Sequence, residues 1–288
     1  MSRTIDVLVV GSGLAGLMAA LTAAREGRSV RMVTDGMGSL AISGGCVDLL
    51  GYVGGQRLDD PWSGMDLLPP KHPYRLLGAS LVRTALDMLR QCAADQGWPL
   101  HTAATSQGAP CNTLLPTIMG TLKPSYLLPG GLDPAALTGA RRILVAGVHG
   151  LRDCRPALIV SQLRRYRAWA DKDFVPRMLP SPLGATHRSL SALDLARLVD
   201  KPQGRDWLIQ SLREHAGQCD AVLLPPICGS KADASVWHEL NQAVACPLVE
   251  MLSIPPGVGC ASCAAMISNW WKTPASSAPQ PTESVAPP

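Results

Sequence analysis

The sequence predicts an α/β fold in which parallel strands alternate with helices. Residues 4–36 combine a short apolar strand, a glycine-rich turn, an Ala/Leu-rich helix and a second strand. Residues 141–252 repeat the alternation of apolar strands with helices, which is typical of a parallel sheet. The 288 residues are 47% hydrophobic and 17% charged, which indicates a globular chain of one or two domains.

The first unit begins with a strand at 4–10, which we expect to be buried because it is short and β-branched. A helix follows and stops at Gly27, and a second strand completes a βαβ unit. Beyond it the chain is rich in Gly, Ser and Pro as far as residue 74. A helix with a C-terminal Gly comes next, and short strands and turns fill 98–140. The predicted bounds are helix 14–26, strand 29–34 and helix 80–97.

The second unit alternates strands and helices up to about residue 252. Its predicted strands are 141–148, 219–227 and 247–252, and its predicted helices are 155–170, 190–199, 204–217 and 235–245. The sequence from Val258 onwards is rich in Pro and Ser and has too little apolar surface to offset chain entropy. We therefore predict an incomplete dinucleotide-binding domain at 1–140, an inserted α/β region at 141–257 and a disordered tail at 258–288.

Composition excludes several classes of function. The net charge of +4 suits small anions but is too diffuse to indicate a nucleic-acid partner. Nine irregularly spaced cysteines are typical of a reduced, cytoplasmic protein. The apolar stretch at 7–24 is interrupted by glycines, and no other stretch approaches the length of a membrane span, so we expect no direct membrane insertion. The six histidines are scattered, and we expect no metal site.

The turn after the first strand carries a G-x-G-x-x-G pattern between a strand and a helix. The first glycine permits a tight turn, the second lets the backbone approach a pyrophosphate, and the third lets helix and strand pack closely. The phosphates would then bind the free N–H groups at the start of the helix. The alternative is a glycine-rich turn used only for packing. The candidate cofactor-binding residues here are Gly11, Ser12, Gly13, Leu14, Ala15 and Gly16.

Dinucleotide-binding units normally place an acid at the end of the second strand, where it binds a ribose. Here Thr34 occupies that position and Asp35 follows it. A Thr hydroxyl can hydrogen-bond a ribose without the strong acceptors of a carboxylate. Asp35 would reach the ribose if the strand bulged, and otherwise it is a turn residue before Gly36. Both Thr34 and Asp35 are candidates.

A second loop of small residues follows at 39–50, with the sequence SLAISGGCVDLL. Its small side chains and available N–H groups suit a loop that runs beside a flavin ring and its phosphates. A nicotinamide dehydrogenase would not need it, and the alternative is a surface loop. The candidates are Ser39, Ser43, Gly44 and Gly45.

Residues 6–50 resemble the start of the anaerobic glycerol-3-phosphate dehydrogenase B-subunit family. The shared features are the strand–GxGLAGL–helix start, a Thr at the end of the second strand, and a Ser-Gly-x-x-Asp-Leu-Leu stretch, in which Gly44 here takes the serine's place. The resemblance extends over about 4–258. It includes HPYRLLG (72–78), ILVAGVHGLRD (143–153), LLPPICG (223–229) and IPPGVG (254–259).

The resemblance implies a Rossmann-like, FAD/NAD(P)-binding parallel sheet with helices on both faces and an inserted α/β region. It implies a flavoprotein with FMN as cofactor, or FAD as the alternative. It also implies two partners, an FAD-bearing catalytic subunit and a membrane-associated iron–sulfur subunit. The complex oxidises the small molecule sn-glycerol 3-phosphate to dihydroxyacetone phosphate and passes electrons to the quinone pool. The location would be cytoplasmic, with peripheral association at the inner membrane through a partner.

The chain departs from the family after about Val258, where members continue with a Gly-rich strand and loop. We expect a truncated or frame-shifted C terminus that weakens flavin binding. Three alternatives stay open: another FAD-dependent oxidoreductase, a non-catalytic docking subunit, and an inactive truncated product. The sequence names no catalytic base. The Cys260-Ala-Ser-Cys263 pair is interpreted as unrelated to metal or redox chemistry.

Overall fold

The computed structural model describes residues 4–36, 38–39, 43–184, 189–231 and 233–253. Within these ranges helices alternate with parallel strands, and the predicted α/β fold is confirmed. The predicted disordered tail at 258–288, with its Cys260–Cys263 pair, lies outside the described residues. No helix in the described ranges is long and apolar enough to cross a membrane.

The chain opens with the predicted βαβ unit. Strand β1 (Val7–Val10) pairs in parallel with β2 (Val30–Val33), and helix α1 (Leu14–Arg25) connects them. The helix ends where Gly27 takes a left-handed conformation with a φ of 74°, which an L side chain rarely adopts. The N–H groups of Gly27 and Arg28 then bond to the last carbonyls of the helix.

The prediction that strand β1 is buried is wrong for two of its residues. Leu8 is 60% exposed and Val10 is 79% exposed, while Val9 is buried. The reason is the placement of the strand. Leu8 and Val10 lie on one face of the strand and Val9 lies on the other, because successive side chains point to opposite faces. Helix α1 packs on β1, and the face with Leu8 and Val10 is left exposed.

A run of short hairpins and one long helix follows. Helix α2 begins after His72, whose Nδ1 accepts a hydrogen bond from the N–H of Tyr74 (3.2 Å). It bends at Gly78, where φ is 78°. The elements are β3 (Tyr52–Val53), β4 (Gln56–Arg57), α2 (Pro73–Asp95), β5 (Leu100–His101), β6 (Ala103–Ala104), β7 (Pro110–Cys111), β8 (Thr113–Pro116), β9 (Leu122–Ser125), β10 (Leu128–Pro129) and α3 (Ala135–Gly139).

A four-stranded parallel sheet follows, and its strands lie in the order β12-β11-β13-β14. Strand β11 pairs on both sides, so that Leu144 lies opposite Val175 on one side and Val222 on the other. The elements are β11 (Arg142–Val148), α4 (Pro156–Leu163), β12 (Asp173–Leu179), α5 (Ala192–Val199), α6 (Pro202–Ala216), β13 (Ala221–Leu224), α7 (Ser235–Val244) and β14 (Leu248–Glu250).

Strand β12 is absent from the sequence-based prediction. Its central residue is Pro176, which lacks an N–H group and is therefore unusual inside a sheet. The strand tolerates Pro176 because it lies at the edge of the sheet and needs hydrogen bonds on one side only.

Several predicted elements are longer than the observed ones, among them α4 and β13. Helix α4 ends at Leu163 instead of continuing to 170, and β13 covers Ala221–Leu224 instead of 219–227. After α4 the chain turns back, so that Trp169 stacks on Phe174 with ring centroids 5.9 Å apart. Burying this aromatic pair stabilises the turn more than a longer helix over 164–170 would, so the helix ends early.

The buried residues form one large and two smaller clusters. The largest surrounds the four-stranded sheet, and the second lies between α2 and the segment 49–68. A third cluster joins Leu115, Leu128 and Leu132 to Leu252, and so connects the first half of the chain to the segment after β14. The predicted division at residues 140 and 141 stays a prediction.

Candidate functional site

The turn between β1 and α1 has the geometry that its glycines predict. Gly11 has a φ of 99°, which favours glycine, and its N–H donates to the carbonyl of Val33 at 2.7 Å. A Cβ on Gly16 would lie 2.0 Å from the carbonyl oxygen of Gly11. Only glycine therefore fits at position 16, because the first turn of α1 packs directly on the strand that precedes it.

The start of α1 is open to a ligand. Gly13 is the N-cap residue, and no side chain caps the helix. A Cβ on Gly13 would meet no atom within 4 Å, so there is free space beside its backbone. Leu14 and Ala15 follow in the first turn, which carries no acidic residue. Uncapped N–H groups and the positive end of the helix dipole make this a suitable place for phosphate oxygens.

The hydroxyl of Thr34 is used within the protein. Its Oγ1 lies 2.9 Å from Oγ of Ser12, which is 3% exposed. Ser12 Oγ also donates to the carbonyl of Gly36 at 2.6 Å, and Thr34 bonds the same residue. Thr34 therefore ties the end of β2 to the glycine turn. Its predicted contact with a ribose stays a prediction.

The residues just after β2 lie at the surface, and one of them, Gly38, lies next to the glycine turn. Asp35 and Ser39 are exposed. Gly38 has a φ of 62°, and a Cβ there would lie 3.0 Å from Cα of Gly13. The chain thus passes close to the predicted phosphate position, and sequence reasoning did not single out Gly38. The predicted roles of Asp35 and Ser39 stay predictions.

The second loop of small residues lies against the segment after β14. A Cβ on Gly44 would contact Cδ2 of Leu252 at 3.4 Å. Gly45 is buried with a φ of 87°, and its N–H donates to Oγ of Ser43 at 3.0 Å. The loop therefore has a specific path, and its predicted contact with a cofactor stays a prediction.

A polar cluster holds this loop in place. The carboxylate of Asp48 accepts from Nζ of Lys123 at 2.6 Å and from Oγ of Ser125 at 2.6 Å. The Cys46 sulfur lies 3.5 Å from Nζ of Lys123. Burial and the nearby Asp48 carboxylate raise the pKa of the Cys46 thiol. The cluster orders the chain next to Gly44 and Gly45, and Cys46 stays protonated at neutral pH.

Lys123 and Ser125 were missed by sequence reasoning. They lie on β9, more than 70 residues from Asp48, and no local pattern connects the two segments. The tertiary contact between β9 and the loop brings these residues together.

The described residues fit a flavin nucleotide. Free space at Gly13, an uncapped helix of 12 residues and a strand-to-helix turn that only glycine allows are what a phosphate group needs. In the described ranges no group of three or more His, Cys, Asp or Glu could hold a metal ion. Comparison with known families agrees with the nucleotide-binding geometry, since residues 6–264 match the FAD binding domain.

The chain belongs to the FAD-binding domain family.

Two curated relatives of this chain carry the same name. The chain is 30% identical over 262 residues to the anaerobic glycerol-3-phosphate dehydrogenase B-subunit of Vibrio vulnificus (strain YJ016), covering 88% of this chain and 59% of that protein. It is 26% identical over 264 residues to the protein of the same name from Actinobacillus pleuropneumoniae serotype 5b (strain L20), covering 88% and 60%. The resemblance to the B-subunit family is confirmed. No solved structure matches the chain.

The chain spans about three fifths of the length of these relatives. The family match supports a flavin cofactor, and FAD is the flavin that it supports most directly. The relatives are named as one subunit of a dehydrogenase, which implies a multi-subunit complex.

Proposed function

We propose that this chain is the flavin-binding part of an anaerobic glycerol-3-phosphate dehydrogenase B-subunit. The observation that carries the proposal is the open, uncapped start of α1 at Gly13, within a turn that Gly11 and Gly16 make possible. The phosphate end of the flavin binds there through backbone N–H groups. The loop 43–45 runs beside the flavin.

We propose FMN as the flavin, with FAD as the alternative. The end of β2 offers the hydroxyl of Thr34, which is already bonded to Ser12, and the exposed carboxylate of Asp35. Neither is an acid placed at the strand end for an adenosine ribose. FMN has no such ribose. The name of the family match, FAD binding domain, favours the alternative.

The proposed reaction is the oxidation of sn-glycerol 3-phosphate to dihydroxyacetone phosphate, with electrons passed to the quinone pool. A bound oxidised flavin supplies a two-electron acceptor for the hydrogen on the alcohol carbon. The proposed partners are an FAD-bearing catalytic subunit and a membrane-associated iron–sulfur subunit, and the proposed location is the cytoplasm, with membrane association through that partner. The names of the relatives support a glycerol-3-phosphate dehydrogenase with more than one subunit.

The test is flavin binding by the purified full chain. Flavin-free protein is titrated separately with FMN and FAD, and quenching of flavin fluorescence reports binding. Gly13→Ala serves as the variant in which a methyl group blocks the phosphate position. Saturable binding that is lost in Gly13→Ala supports the proposal, and preference for FAD over FMN selects the alternative cofactor. No binding of either flavin would overturn it, and normal assembly with the partner subunits would then favour a docking role.

A further inference from the structure

A cavity lies at the carboxyl ends of two strands of the four-stranded sheet, β11 and β13. From β11 the chain continues to β12 on one side, and β13 leads to β14 on the other side, so the strand order reverses between β11 and β13. Open parallel sheets bind ligands in the crevice at such a switch point. The loops that leave the two strands line this cavity, with Leu151, Arg152, Asp153 and Cys154 after β11, and Pro225 and Pro226 after β13.

The size and the apolar lining of the cavity suit a small organic molecule. Its volume is about 90 Å³. One water-sized group needs about 10–15 Å³ on the same measure, so about six to nine such groups fit. Ile118, Leu151 and Cys154 form a buried apolar wall. The Cys154 thiol is neutral, because burial raises its pKa to about 12. A ligand with a short apolar part therefore matches this wall.

Two neighbouring residues of the loop after β11 carry opposite charges. Arg152 and Asp153 are both exposed, and within the described ranges neither forms an ion pair. The backbone around them is held in place, since the N–H of Arg152 donates to the carbonyl of Leu190 at 3.3 Å. Nη1 of Arg155 donates to the carbonyl of Leu151, also at 3.3 Å. Arg155 thus orders the loop, whereas the charges of Arg152 and Asp153 are available to a ligand.

Another wall of the cavity is the start of helix α5, where Ser191 and Ala192 line it. The Ser191 hydroxyl donates to the carboxylate of Asp194 at 2.6 Å. The pKa of Asp194 is lowered, first by this hydrogen bond and to a smaller extent by the charge of Arg152. The Arg152 guanidinium therefore lies near this end of the helix. The N–H of Ala192 has no acceptor inside the helix, so it is a second donor for an anionic group.

The charges around the cavity favour a zwitterion over a phosphate. The planar guanidinium of Arg152 matches a carboxylate, and the carboxylate of Asp153 matches an ammonium group. A phosphate group would bring about two negative charges at neutral pH close to Asp153 and Asp194, which repel it. A molecule with one carboxylate and one ammonium group satisfies both Arg152 and Asp153.

We propose that this cavity binds a small neutral α-amino acid, of the size of alanine or serine. Its carboxylate pairs with Arg152 at the start of α5, its ammonium group pairs with Asp153, and its short side chain lies against Ile118 and Leu151. The inference goes beyond the proposed function, because it involves no residue of the glycine turn and no flavin.

The experiment is isothermal titration calorimetry of the purified full chain with L-alanine and three probes. Propionate lacks the ammonium group, ethylamine lacks the carboxylate, and inorganic phosphate tests a general anion site. Saturable binding of alanine is expected. Propionate and ethylamine are expected to bind at least about tenfold more weakly, since each loses a charge-assisted contact. Inorganic phosphate is expected not to compete with alanine.

Two cavity variants separate the two charged contacts. Arg152→Gln and Asp153→Asn are each expected to weaken alanine binding by about tenfold or more. Asp153→Asn is expected not to weaken propionate binding, because propionate carries no ammonium group. The matched controls are Arg167→Gln and Asp171→Asn, which change exposed residues that do not line the cavity and are expected to bind alanine like the wild type. Thermal unfolding of each variant shows that it is folded.

The inference is wrong if the folded wild type shows no saturable binding of alanine, or if alanine and propionate bind equally well. Unchanged alanine affinity in both cavity variants would also overturn it. Phosphate binding that is lost in Arg152→Gln, without alanine binding, would replace the amino acid with a simple anion and so contradict the inference. Flavin titration of the same samples is a separate measurement, so failure of the proposed function is distinguishable from failure of the cavity assignment.

Discussion

The side-chain oxygens of Ser12 and Thr34 lie 2.9 Å apart, and both residues bond to Gly36. This small network connects the first turn of the βαβ unit to the end of its second strand. Thr34, which occupies the place of a ribose-binding acid, therefore has a structural task of its own. The network holds the backbone of the glycine turn at the position where the phosphate would bind.

Replacing Thr34 with Val keeps the shape of the side chain and removes its hydroxyl. We expect the free energy of unfolding to fall by about 1 kcal/mol, because Ser12 loses a partner in a partly buried site. Chemical denaturation measures this change, and flavin titration measures its effect on binding. Thr34→Ser keeps the hydroxyl and is expected to behave like the wild type. Equal stability of the Val and Ser variants would show that the Thr34 hydroxyl does not contribute to the free energy of unfolding.

Replacing Gly13 with Ala is expected to affect flavin binding, whereas replacing Gly16 with Ala is expected to affect the stability of the fold. Gly13→Ala places its methyl group in open space at a φ of −68°, so the fold is retained and flavin binding is lost. Gly16→Ala places a methyl group 2.0 Å from the carbonyl oxygen of Gly11 and is expected to destabilise the protein by about 2 kcal/mol or more. Thermal unfolding and flavin titration of both variants check the contrast. A Gly13→Ala protein that binds flavin normally would contradict the predicted phosphate position.

Asn112 is expected to be important for the segment that follows the 43–45 loop. Its Nδ2 donates to the carbonyls of Leu50 and Leu58, each at 2.9 Å, and the residue is 7% exposed. Asn112→Ala removes both of these hydrogen bonds, so the carbonyl groups of Leu50 and Leu58 lose their donor. We expect a loss of about 1–3 kcal/mol in the free energy of unfolding.

Chemical denaturation of Asn112→Ala measures that loss. Gln242→Ala, at an exposed position of α7, is the control and is expected to change stability by less than about 0.5 kcal/mol. Similar losses in the two variants would argue against a specific role for Asn112.

Glu250 is expected to make stability depend on pH. Burial raises its folded-state pKa to about 7 from a usual value of 4.5, so the folded protein binds more protons than the unfolded chain between these two values. Its contribution to stability is therefore present below about pH 4.5, declines as the pH rises, and is lost above about pH 7. The expected loss across this window is on the order of 2 kcal/mol.

Glu250→Gln cannot titrate and is expected to flatten the pH profile in that window. Denaturation curves recorded from pH 5 to pH 8 for both proteins measure the difference. Parallel profiles for the wild type and the Gln variant would show that the Glu250 carboxyl has an ordinary pKa in the folded state.

Local sequence patterns predicted the fold wherever the period was regular. The βαβ unit and helices α5, α6 and α7 were recognised because apolar spacing and helix-ending residues agree with the final structure. Strand β12 was missed because Pro176 argues against a strand, and only its place at the sheet edge removes that objection. The length of α4 was misjudged because Trp169 packs on Phe174, a contact that the local pattern does not contain.

By itself the sequence determined the glycine turn. Gly11 needs a positive φ, and Gly16 packs against the carbonyl group of Gly11. Both are backbone requirements that only glycine meets, so the spacing of the glycines predicts the turn directly. Tertiary structure alone decided which distant side chains meet. It brought Lys123 to Asp48, and it placed Arg152 and Ser191 around one cavity. The physical reason is that such contacts depend on how sheets and loops pack, and the residues involved share no periodicity along the chain.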